Sequence, residues 1–125
     1  MTDREQAQAE LDDLVARTAA ARERLREAVR AEIRAMPAVP QAEGYDAVAA
    51  ALRARPGFEQ RGYAIGWWSR RGRLQLGAET GGALLLYVTA GDDDAEFPIT
   101  TLDAAVKAAL LWLADRDVFL PARAS

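Results

Sequence analysis

Along the first third of the chain, Leu11, Val15, Thr18, Leu25, Val29, Ile33 and Met36 recur at steps of three, four and seven residues. That spacing marks one face of a helix. Alanine, arginine, glutamate, glutamine and leucine dominate the segment, and neither glycine nor proline occurs before Pro37. All are good helix formers, so one long helix is predicted over residues 3–36. Its opposite face offers ion pairs at helical spacing, Asp13 with Arg17 and Glu27 with Arg30. The apolar row is narrow, and Arg22 interrupts it. Such a helix suits a partner, either this chain's own sheet or another chain. Against a second copy, parallel or antiparallel, the seam would be Leu11, Val15, Leu25, Val29 and Met36, with Arg22 limiting the alternatives.

"PAVPQAEG", residues 37–44, carries two prolines and cannot be helical throughout. In "YDAVAAALRARPG", Tyr45, Val48, Ala49 and Leu52 share one face of a short helix that stops before Pro56. The period then changes to alternation. "YAIGWW" sets Tyr63, Ile65 and Trp67 on one side, and Ala64, Gly66 and Trp68 on the other. A turn at Arg71–Gly72 would pair Arg70 with Arg73, Trp68 with Gln75, Trp67 with Leu76 and Gly66 with Gly77. "ETGGA" is a second turn. A three-residue loop, Thr80 to Gly82, would send Leu84, Leu86 and Val88 to the face of Leu74 and Leu76, and a two-residue loop would send Leu85 and Tyr87 there. "AGDDDAEFP" is expected to be a solvated acidic loop. Thr100 with Asp103 resembles a capping box for a last helix whose buried face holds Leu102, Val106, Ala109, Leu110 and Leu113. After it, the apolar "VFL" is expected to dock as a short edge element.

The expected fold is therefore α+β: a long N-terminal helix, a short helix, a three-stranded antiparallel meander, and a C-terminal helix packed on one sheet face. Its expected division is a helical arm over 1–36, a proline-containing connector over 37–44, and a globular α-β-β-β-α domain over 45–125. Tyr63, Ile65, Trp67, Leu74, Leu76 and Leu86 would form the core face. The other face would set Trp68, Leu85 and Tyr87 over a strip with Gly66 and Gly77, a shallow groove for another backbone unless the N-terminal helix covers it.

Composition narrows the chemistry. Among 125 residues there is no histidine and no cysteine, which removes the commonest general base, metal ligand and nucleophilic thiol. Ser69 therefore has no imidazole to activate it. "TGGA" leads into a strand, unlike a phosphate-binding loop. Asp92, Asp93, Asp94 and Glu96 lack the spacing of a calcium loop. No enzyme activity, metal or cofactor is expected. A polar N-terminus without an apolar signal core leads us to expect a cytoplasmic protein without membrane attachment.

The net charge of −3 is unevenly spread, with six arginines against three acids over residues 37–76 and three basic against eight acidic residues over 77–125. Arg70, Arg71 and Arg73 with Trp68 could contact an anion by charge and stacking, or simply keep a hairpin tip soluble. Three arginines without a second basic element are few for nucleic acid. The helix–three strands–helix order of residues 45–115 resembles a double-stranded-RNA-binding domain in element order. In place of that family's lysine cluster stands "TTLDAAVKAA", with Asp103 at the helix start, so RNA binding does not carry over. The run "GALLLYVTAGDDDAEFPITTLDAAVKAALLWL", about a quarter of the chain, is similar to the C-terminal part of small immunity proteins that neutralise bacterial toxins. That resemblance implies protein binding.

These readings converge on a non-catalytic module that occludes or bridges a protein partner, with Trp68, Leu85, Tyr87, Arg70, Arg71 and Arg73 as contacts. The alternatives are a nucleic-acid-binding accessory protein using the arginine tip and Trp68, and a structural homodimer through the N-terminal helix.

Overall fold

In a computed structural model, which describes residues 2–119, the long helix is α1, Asp3–Ala35. Thr2 caps it, its hydroxyl accepting the Glu5 amide at 3.2 Å. The next helix, α2 (Tyr45–Arg53), buries Val48, Ala49 and Leu52 on the face that the spacing predicts. Then follows an antiparallel meander of five strands in sequence order: β1 (Glu59–Arg61), β2 (Ala64–Trp68), β3 (Gly72–Ala78), β4 (Leu84–Ala90) and β5 (Asp93–Pro98). Helix α3 (Leu102–Ala114) completes the described elements.

The architecture is α+β, with two strands more than the pattern suggested. β1 has three residues, all exposed, so no alternation of apolar positions could reveal it. β5 is the supposed acidic loop. Val88 pairs with Ala95 and Leu86 with Phe97, turning both partners toward the core, while Asp94 and Glu96 point the other way. An edge strand charged on its open side reads as loop by composition, although charge is how edges are protected.

The β2–β3 hairpin is also displaced from the expected register. Trp68 pairs with Arg73, Trp67 with Leu74 and Gly66 with Gln75, so four residues, Ser69 to Gly72, make the turn. The Ser69 amide donates to the Gly72 carbonyl, and the Ser69 hydroxyl accepts the Arg71 and Gly72 amides at 3.3 and 3.1 Å. A slip of two residues keeps every side chain on its face, so Trp67, Leu74 and Leu76 still meet in the core. At the next turn Glu79 pairs with Ala83 across Thr80–Gly82. That three-residue loop sets Leu84, Leu86 and Val88 opposite Ala78, Leu76 and Leu74.

One core results. Ile65, Trp67, Leu74, Leu76, Leu86 and Val88 from the sheet meet α2 and the Leu102, Val106, Ala109, Leu110 and Leu113 face of α3. Tyr63 does not join them. The turn between β1 and β2 carries it off the strand, where it is 97% exposed, and the Tyr45 hydroxyl donates to its carbonyl at 3.1 Å.

The proline-containing segment is part of this body, because Val39 is buried in the core. It also caps α3, in place of the expected Thr100–Asp103 box. Thr101 is the N-cap residue and makes no side-chain capping bond. The Gln41 side-chain oxygen Oε1 accepts the Leu102 amide at 3.0 Å, and the Asp103 carboxylate reaches across to accept the Val39 amide at 2.8 Å. One donor at the helix start, the Leu102 amide, is thus satisfied from a segment about sixty residues away in sequence, and the helix in turn accepts a donor of that segment. After α3, Val118 is buried and Phe119 packs against the core, but neither forms a strand. The third residue of "VFL", Leu120, lies outside the described residues.

Candidate interaction surfaces

Helix α1 is held by its last third. Ile33 is its only buried residue, with Val29 and Met36 packed partly against the core. The rest of the grip is ionic. Arg26 makes a two-pronged bond to Asp117, at 2.7 and 3.0 Å, and Arg30 donates to Asp115 at 2.9 Å. Arg22 lies 4.0 Å from Asp117. The arginine that interrupts the apolar row therefore faces the end of α3, where the helix dipole favours positive charge. Arg26 holds the Asp117 carboxyl below its usual range by that hydrogen bond, against the opposing effect of partial desolvation. In the same way the Val39 amide, aided by Lys107, lowers Asp103.

Residues 2–25 are all exposed. Leu11, Leu14, Val15 and Leu25 are 50–61% exposed. The expected seam therefore divides: Leu11, Val15 and Leu25 stay open to solvent, and Val29 and Met36 are used within the domain. Leu14 joins the open group. Its signal was present in the sequence, a leucine three residues after Leu11. Where α1 leaves the body, a cavity of about 450 Å³ opens between Leu25, Val29, Met36, Phe58, Leu110 and Phe119.

The outer sheet face differs from its expected form. No groove runs over its glycines. The Tyr87 ring fills the space above Gly77, where a Cβ would lie 2.3 Å from it, and the Leu74 carbonyl closes on Gly66. Leu85 is buried beside Gly77, so it is no contact for a partner. Tyr87 is 37% exposed. Trp68 is half-buried, with the Arg61 guanidinium 4.6 Å from its ring centre. The α1 helix does not cover this face, since its main contact is α3.

At the hairpin tip, Arg70, Arg71 and Arg73 are exposed around a shallow depression that Trp68 and Thr89 also border. The Arg71 and Gly72 amides there are bonded to the Ser69 hydroxyl, and Arg61 already stacks on the Trp68 ring. In the acidic segment Asp93 lies 3.4 Å from Arg116, whose guanidinium stacks 3.7 Å over Trp112. Among the described residues, no group of three or more acids is placed to hold a metal ion, and no helix is long and apolar enough to cross a membrane. None of their polar or charged residues is buried, and the two shifted carboxyl groups are both stabilised as carboxylates by bonds that join elements. Tuned acid–base groups are raised or lowered toward the working pH, which these are not. Comparison with known families, with characterised proteins and with solved structures finds no match to this chain.

Proposed function

We propose that this chain is a non-catalytic protein-interaction module that occludes or bridges a protein partner, with α1 as its docking element. The observation that carries the reading is the open row of Leu11, Leu14, Val15 and Leu25 on a helix anchored at one end. Apolar rows left in water on a long helix mark interaction sites, and helix faces are read by partners at this spacing. The lack of histidine and cysteine supports the same view. The arginine tip argues less for nucleic acid, because its Arg71 and Gly72 amides are bonded to Ser69 and the neighbouring Trp68 ring is covered by Arg61.

Replacing Leu11, Leu14 and Val15 together by glutamine keeps helix-forming residues while removing the apolar row. The unaltered chain is expected to retain a partner, its own copy included, in affinity purification and size measurements, and the variant to lose it by tenfold or more. If both chains stay monomeric and retain the same proteins, the reading fails.

A further inference from the structure

The charge along α1 is polarised. Residues 3–16 hold five acids and one arginine, and residues 17–34 hold six arginines and three acids. Two copies side by side in parallel would set acidic half against acidic half. Antiparallel, each acidic half lies against a basic one. Leu11, Leu14, Thr18, Ala21, Leu25 and Ala28 are all exposed and recur at alternating steps of three and four, the spacing of a two-helix seam. This row adjoins the Arg22–Arg26–Val29–Ile33 side that faces the body, so a second helix can reach it. The Thr18 hydroxyl donates to the Leu14 carbonyl at 2.8 Å, which leaves mainly its methyl for the seam.

We propose that the partner of α1 is a second copy of this chain, paired antiparallel about a two-fold axis near Ala16. The inference rests on the interaction reading above and names its partner. In this register Leu11 meets Ala21 of the second copy, Leu14 meets Thr18, and Ala7 meets Leu25. Every layer sets a large side chain against a small one, which fills the seam evenly. The overlap ends where α1 enters its own body. Glu10 flanks Arg24 of the second copy twice by symmetry. Neither residue has an ion pair within its own chain among the described residues. Arg17 meets its own symmetry mate, with its charge offset by Asp13 at 2.7 Å.

Sedimentation equilibrium of the full chain tests this. A dimer mass is expected at micromolar concentration. Glu10→Arg and Arg24→Glu should each weaken it about tenfold, two pairs turning from attractive to repulsive. The double variant E10R/R24E should return to within about threefold of the original. In parallel pairing these positions lie about 21 Å apart along the helix, so the double variant would show no rescue. A monomer up to about 100 µM, or a dimer insensitive to the charge swaps, would overturn the inference. The interaction reading is judged separately. It survives a monomeric result if another protein is retained through Leu11, Leu14 and Val15, and falls with it if none is.

Discussion

Trp67 and Trp68 are neighbours in the chain and occupy opposite sides of β2. Trp67 is 5% exposed, inside the core. Trp67→Ala is expected to cost about 3–5 kcal/mol, since it removes a large ring and leaves a cavity. Trp68 lies half-buried under Arg61, so Trp68→Ala should cost about 1 kcal/mol. Urea denaturation midpoints of the two variants measure the difference. Equal losses would show that the outer face is closed as tightly as the inner one. Alternation in "YAIGWW" was enough to assign these two rings their sides, because a strand leaves each side chain only two directions. It misplaced Tyr63, whose strand begins one residue later, at Ala64. It could not show that Tyr87 folds over Gly77, a contact between adjacent strands that depends on rotamer as well as register.

Between elements, the joints are polar bonds around α3. Asp117 ties its end to Arg26 on α1, and Asp103 ties its start to Val39. Both carboxyl groups are lowered in the folded chain. Their stabilisation is therefore complete above the ordinary carboxylate range and is lost as the pH falls through the lowered values. Below about pH 4, the last third of α1 should open before the sheet does, seen as faster amide exchange over residues 26–34. Asp117→Asn should already show that faster exchange at neutral pH and change less on acidification. Asparagine suits this test because the backbone there is left-handed, with φ of 61°, which asparagine tolerates. Helices and the central hairpins were legible in the chain because each has its own apolar period. The capping of α3 was not. Thr100 and Asp103 have the local spacing of a box, and only the folded connector reveals that the Gln41 side chain is the capping acceptor and that Asp103 accepts the Val39 amide.

For the whole molecule, arm and body can be separated by experiment. No residue before Arg26 contributes a buried side chain, so removing residues 1–21 should alter the denaturation free energy by less than about 1 kcal/mol. The same removal should abolish self-association. A large loss of stability would mean that the arm supports the body. That the first helix would leave most of its apolar row outside its own domain was not decidable from its sequence, where a core stripe and a seam look alike.

The clasp between α1 and the end of α3 also has a bearing on synthesis. Helix α1 leaves the ribosome before α2, the sheet and α3, yet Asp115 and Asp117, which fix it, are made after the entire sheet. The meander pairs only consecutive strands, and such local contacts form early. The arm therefore stays unanchored while α2, the sheet and α3 are made, with its leucines accessible to neighbouring nascent chains before its own body can hold it in place.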